Sequence, residues 1–206
     1  MNKLKGSLAI LGTAFAYGSY GIWAKLIGSS FDLFFQTYMR AIIAWVIILG
    51  IVIYLKNWKK IRNSYDFKVL FGIAVFGILT QGIYYSYLHL GVGLSSILYF
   101  FSILFAQFFI GIYFYKEKIT TIKIISLIFS IFGVILIFKN DIESFEILAV
   151  IIALISGFSI GAQSSLTKLV SKKYSSWQIS LFSWAGVILT CLPISLFLKE
   201  TQHFQL

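Results

Sequence analysis

Residues 92–115 read VGLSSILYFFSILFAQFFIGIYFY, an unbroken run without a charged side chain, and residues 116–118 then read KEK. A second apolar run, 119–138, follows at once. Spanning about 30 Å of hydrocarbon takes about 20 helical residues, so each run is long enough to cross a bilayer. The three charges between them then mark a turn at the membrane surface. This reading decides the fold class: helices that satisfy their own backbone hydrogen bonds inside lipid.

The same ruler, moved outward, finds seven runs: 6–27, 33–55, 69–89, 92–115, 119–138, 146–169 and 177–198. They predict an all-α polytopic membrane protein with about seven transmembrane helices and short connections. Composition agrees, with 59% hydrophobic and only 12% charged residues. That leaves too few polar side chains to cover a water-facing surface, so the lipid bilayer is the first partner. The first run, preceded by Lys3 and Lys5, resembles a secretory signal with Ala14-Phe15-Ala16 as its cleavage site. It continues apolar to Ile27, which favours a retained helix.

The net charge of +10 is distributed in short clusters between the runs. Lys3/Lys5, Lys56/Lys59/Lys60/Arg62/Lys68, Lys116/Lys118/Lys123 and Lys172/Lys173 fall on one side. Asp32, the stretch Lys139/Asp141/Glu143/Glu146 and Lys199/Glu200 fall on the other. Positive loops are cytoplasmic, so the N-terminus is expected inside. No basic stripe with stacking aromatics is present, which excludes a nucleic-acid partner. The bias of Lys over Arg, with abundant Ile, Phe and Tyr, points to an AT-rich bacterial genome and hence a bacterial inner membrane. Cys191 stands alone in an apolar run, so neither a disulfide nor a cysteine metal site is available.

The first and sixth runs align with each other. Ala14-Phe15-Ala16-Tyr17-Gly18 parallels Gly157-Phe158-Ser159-Ile160-Gly161, and Lys25 and Lys168 follow seven residues after each closing Gly. The next runs match loosely, Arg40-Ala41 beside Trp184-Ala185. An odd number of runs separates the copies, so the second enters from the opposite side. That is an inverted-topology repeat, common in secondary transporters. It divides the chain at 1–138, a five-helix unit, and 139–206, the two-helix start of a second.

These residues resemble the EamA family of the drug/metabolite transporter superfamily. The first hairpin reads Ala16-Tyr17-Gly18-Ser19, Ala24-Lys25 and Met39-Arg40-Ala41, similar to the family's aromatic-Gly pair, helix-end Lys and second-helix Arg. Lys116-Glu117-Lys118-Ile119-Thr120 followed by Gly133-Val134 resembles its junction between the fourth and fifth helices. The resemblance implies a carrier without cofactor or metal that exports or exchanges small organic molecules. Family members usually carry ten helices in two halves. Seven runs imply a second half of two helices, hence a fragment, a homodimer, or a structural or regulatory subunit that does not transport. The fourth run also lacks the family's Pro, reading Ser102-Ile103-Leu104-Phe105.

Several residues are candidates for the substrate path. Arg40 sits about 10 Å below the loop at Asp32, taking ~1.5 Å per residue. A helix-centre Arg costs about 2.5–3.5 kcal/mol to insert, so its place needs a reason. It either contacts an anionic or carboxylate group or snorkels to Asp32 or a loop carbonyl. Lys25 carries the same two readings. Gln81, Tyr84, Tyr85 and Leu88 share one face of the third run, and Tyr99, Ser102 and Ala106 one face of the fourth, with Gln107 adjacent. Such faces suit a cavity that desolvates an organic substrate; they also suit an interfacial aromatic belt. Tyr17 and Gln163 complete the candidate cavity.

Gly18, Gly21, Gly157 and Gly161 are read as close helix packing, the last two in small-xxx-small spacing. Glu117 is read as a salt bridge or helix cap, and with Lys25 and Lys168 as gating or interface charge. Pro193 is expected to kink the seventh run. No Asp or Glu lies well inside a run, which disfavours carboxylate-coupled proton antiport. No catalytic constellation, metal cluster or pore loop is visible, which sets an enzyme or a channel behind a carrier.

Overall fold

The computed structural model describes residues 3–27, 30–56, 58–61, 63–138 and 146–200. Eight helical segments account for nearly all of them: α1 (Lys3–Ile27), α2 (Leu33–Tyr54), α3 (Ser64–Thr80), α4 (Ile83–Leu90), α5 (Val92–Tyr115), α6 (Thr121–Phe138), α7 (Ile147–Val170) and α8 (Ser176–Leu198). No β-strand occurs among the described residues. Five stretches are long and apolar enough to cross a membrane: α2, α3 with α4, α5, α7 and α8. The 25-residue α1 and the 18-residue, largely apolar α6 correspond to the other two runs read in the sequence. The protein is an all-helical, polytopic membrane protein.

Local chemistry sets the helix ends. The Asn63 side chain accepts from the Tyr65 N–H at 3.1 Å and starts α3, and the Ser175 hydroxyl accepts from the Gln178 N–H at 3.2 Å and starts α8. Each satisfies an amide donor that the first turn leaves open. Gly91, at φ +77, makes the tight turn from α4 into α5, a backbone angle that glycine adopts freely.

The third run is not one helix. It was expected to be continuous over 69–89, but Gln81 and Gly82 interrupt it. Their N–H groups bond three residues back, to Ile78 and Leu79, so the ladder tightens and then restarts at Ile83. The Ser156 hydroxyl of α7 donates to the Leu79 carbonyl at 3.1 Å across the gap. An intramembrane helix break is tolerated where neighbouring groups take up freed backbone polar atoms in this way. A Cβ on Gly82 would meet Ser156 Oγ at 2.8 Å, so glycine lets α7 approach the break.

Contacts between helix ends establish that the segments alternate in direction. At one end Gln178 grips Lys59, Lys173 pairs with Asp66, and Glu117 pairs with Lys168. At the other, Glu146 meets Tyr85 and His89, and the Glu200 carboxylate accepts from the Phe35 N–H at 2.7 Å. These are called the α2–α3 end and the α1–α2 end below. Within the bundle α7 packs on α5, α3 and α4, and α8 packs on α2 and α3. By contrast α6 packs chiefly on α5, and α1 chiefly on α4 and α5.

Small residues make these contacts close. An ideal Cβ on Gly157 would collide with the Tyr99 carbonyl oxygen, and one on Gly161 would sit 2.7 Å from the Ala106 Cβ. One on Gly186 would lie 2.8 Å from the Ala74 Cβ, joining α8 to α3. Gly21 likewise faces Val92. Gly18, expected to pack, has nothing within 4 Å of an added Cβ, because α1 turns that side away from the bundle. Pro193 lies inside α8, whose helix continues past it to Leu198.

Large apolar side chains point outward all round, with Phe15, Phe114 and Phe197 each more than 80% exposed. In water this surface would aggregate; in hydrocarbon it needs no cover. Buried positions are instead rich in small and polar groups, such as Ser86, Ser95, Ser102, Ser156 and Ser159. Their hydroxyls bond backbone carbonyls, Ser86 to Ala149, Ser95 to Ser86 and Ser102 to Leu154, at 2.6–2.8 Å. Lipid tails are as apolar as leucine, so close packing and such bonds hold the helices together.

Candidate functional site

The interior holds a cavity of about 480 Å³. Small-molecule sites range over about 300–1,000 Å³. Seven helical segments line it: Tyr20 from α1, Arg40 from α2, Gly77 and Thr80 from α3, Tyr87 from α4, Tyr99 and Phe100 from α5, Gln163 and Thr167 from α7, and Ser180, Ser183 and Trp184 from α8. Gln81, at the interruption, lines it too. The break therefore lies at the cavity wall, with Thr80 and Gln81 lining the space beside it.

Arg40 is half-buried and held by aromatic partners. Its Nη1 donates to the Tyr20 hydroxyl at 2.6 Å, and its Nε donates to the Gln36 carbonyl one turn back at 3.4 Å. Its guanidinium carbon lies 5.3 Å from the Tyr20 ring centre and 5.2 Å from that of Tyr84. Each such cation–π contact contributes about 0.5–2 kcal/mol, more as water is excluded. The expected snorkelling partners, Asp32 and a loop carbonyl, are not the ones used. Gln163 anchors the opposite wall, its amide donating to the Ile73 carbonyl at 3.0 Å and the Ser183 hydroxyl at 2.7 Å.

Of the residues the sequence proposed for the cavity, the lining includes Arg40, Gln81, Tyr99 and Gln163. Three lie elsewhere. Tyr84 is fully buried behind Arg40 rather than at the surface of the space. Tyr85 turns to the α1–α2 end, where its hydroxyl donates to Glu146 at 2.7 Å and its ring stacks on His89 at 4.1 Å. Ser102 is spent on the α5–α7 contact. The helix break explains the split, because residues before and after it no longer share one continuous face. The side chains of Tyr17 and Lys25 lie outside the described residues, as do the loop charges Arg62, Lys139, Asp141 and Glu143.

The charged residues hold the helix ends. Glu117 takes Lys123 at 2.8 Å and Lys168 at 3.5 Å, tying the α5–α6 turn to α7. The Lys123 hydrogen bond, and then the charge of Lys123, hold its carboxyl below the ordinary range. Lys168 also lies 5.2 Å over the Tyr115 ring. Nearby, the hydrogen bond from Lys173 to Asp66 raises the Lys173 pKa, while burial and then Asp66 raise that of Tyr174. Gln178, fully buried, accepts from the Lys59 N–H at 3.1 Å and donates to the Lys59 carbonyl at 2.7 Å. Among the described residues no group of His, Cys, Asp and Glu is gathered as a metal ion would require.

Tyr20, Thr80, Ser180 and Ser183 were not singled out in the sequence; Tyr87 was read as a residue of the interfacial aromatic belt and Trp184 only as a repeat counterpart of Arg40, neither as cavity lining. A polar or aromatic residue in mid-run was the available signal, but it does not say which side faces inward.

The model of the EamA-like transporter family matches residues 4–139, about two-thirds of the chain. The chain belongs to that family. It is a family of the drug/metabolite transporter superfamily, and its members are transporters rather than enzymes. No curated protein and no solved structure matches the chain. For an EamA-like protein, a solute-sized cavity between the helices is the place where function is to be sought.

Proposed function

We propose that this EamA-like chain is a secondary transporter that moves small organic molecules by alternating access, as an exporter or exchanger. The observation that carries the reading is the cavity itself: solute-sized, walled by seven helical segments, mostly apolar, with convergent polar groups and a broken helix at its side. Discontinuous helices are a recurrent device for placing backbone and side-chain polar groups beside a midplane site. The ion pairs and amide contacts at the two ends are suited to act as opposing latches, broken in turn as the halves rock.

The membrane orientation follows from charge. The α2–α3 end carries Lys56, Lys59, Lys60, Lys68, Lys116, Lys118, Lys123, Lys172 and Lys173, and is assigned to the cytoplasm with the N-terminus. The inner membrane of a bacterium is the proposed setting. The likeness between the first and sixth runs supports an inverted repeat, with α7 and α8 as counterparts of α1 and α2.

Flux from proteoliposomes loaded with labelled bacterial metabolites tests the reading. At least one solute is expected to leave faster than from protein-free vesicles. Ser180→Trp, which places an indole in the cavity, is expected to reduce that flux to background with the protein still inserted. No solute moving above the protein-free rate would refute the transporter assignment.

A further inference from the structure

Resting on the transporter reading, we propose that the cavity selects organic anions, seating a carboxylate or sulfonate on Arg40 and Tyr20. The first ground is satisfaction of polar groups. Among the described residues, Arg40 Nη2 is a buried, positively charged donor without a hydrogen-bond partner, on the α2 wall of the cavity. Among the described residues the buried side-chain hydroxyls and carboxylates have partners, so this unmatched charge stands out on one wall of the cavity. A buried donor left unmatched by the chain is open to a partner from outside it.

The second ground is charge. The ion pairs of the described residues lie at helix ends, and none includes Arg40. Tyr20 and Tyr84 offer ring faces and a hydroxyl, which steady the guanidinium but supply no negative charge. Among the described residues no Asp, Glu or Lys lines the cavity, and the formal charge they place there is the positive one of Arg40. In such a low-dielectric space a cation would be repelled and a single anion attracted.

The third ground is geometry. A guanidinium presents its donors as a planar fork that matches an oxyanion. Nη1 is engaged by Tyr20; Nη2, buried and unpartnered, is the donor that an entering oxyanion would draw toward the cavity. The Tyr20 hydroxyl accepts from Arg40 and keeps its own proton, a second donor beside the first. Beyond this pair Phe100, Tyr99, Ile160 and Trp184 supply an apolar, aromatic wall for the body of the solute. The fit is an amphipathic monoanion with a single oxyanion group and an aromatic or branched apolar frame.

Three permanently charged or zwitterionic probes of similar frame test this: 4-toluenesulfonate, benzyltrimethylammonium and phenylalanine, each radiolabelled in proteoliposomes containing the full chain. The expected result is toluenesulfonate flux at least about tenfold above that of the cation, the discrimination a charge-assisted hydrogen bond supplies. Arg40→Gln should abolish the preference and Arg40→Lys should restore part of it, since Lys keeps the charge and loses the fork. Tyr20→Phe, which keeps the ring, should weaken anion flux without favouring the cation. Preferred flux of benzyltrimethylammonium or phenylalanine, or an Arg40→Gln protein with an unchanged anion-to-cation ratio, overturns the anion seat while leaving transport intact. If none of the three moves faster than in protein-free vesicles, and metabolite flux is absent as well, the transporter reading falls and this inference with it.

Discussion

Replacing Gly157 with Val is expected to separate α5 from α7 and leave little folded protein. A Cβ at this position collides with the Tyr99 carbonyl and lies 2.8 Å from the Ser102 Cβ. The first obstacle is backbone, so no rotamer change relieves it and the helices must move apart. That movement also breaks the Ser102 hydroxyl bond to the Leu154 carbonyl. Overpacking of this kind costs about 3 kcal/mol or more when the neighbour cannot yield. Thermal unfolding of the purified protein in detergent would show the loss. Gly18→Val serves as the comparison, since nothing lies within 4 Å of its added Cβ; its cost should stay within about 1 kcal/mol.

Tyr84→Ala should cost nearly as much, by a different route. Tyr84 is fully buried at the junction of α4 with its neighbours, and its ring lies 5.2 Å from the Arg40 guanidinium carbon. Truncation opens a void and removes one of two aromatic faces that steady a buried charge. Losing a large buried aromatic costs about 3–5 kcal/mol. Tyr84→Phe keeps the ring and should lose only about 1 kcal/mol, the scale of the one hydrogen bond its hydroxyl shares with the Gln36 side chain. Chemical-denaturant unfolding of the three proteins separates the contributions of ring and hydroxyl. Equal losses for Phe and Ala would show that the ring does not support Arg40.

The architecture was legible because a bilayer imposes a length on every helix. Residues 92–115 and 119–138 could be assigned with no knowledge of packing, and the alternation of Lys-rich and acidic loops gave the order of ends. The break at Gln81–Gly82 was not legible, because its cause is the approach of Ser156 from α7, seventy-odd positions away in the chain. The same limit governs the candidate site. Arg40 stood out as a charge in an apolar run, and Gln163 as an amide in another. Their partners, Tyr20 and Ser183, come from separate helices whose rotation depends on which small residues meet. Gly157 and Gly161 were readable as a packing pair by their spacing. Gly77 and Gly186 were not, since neither has a glycine four residues away and each is explained only by Ser183 and Ala74 opposite.

The central claim is that a water-reachable cavity lies at mid-depth between lipid-facing surfaces. Thiol labelling at two adjacent residues of α3 tests it most directly, in a Cys191→Ala background that removes the buried native thiol. Thr80 lines the cavity, and Leu79 beside it is exposed on the outer surface of the bundle. Both lie about 15 Å from the Leu90 end, counting ~1.5 Å per residue. A membrane-impermeant maleimide applied to vesicles of either orientation should modify Thr80→Cys, from each side in turn as access alternates. It should leave Leu79→Cys unmodified, because that thiol sits in hydrocarbon. Labelling of Leu79→Cys with Thr80→Cys untouched from both sides would contradict the cavity and the transport path built on it.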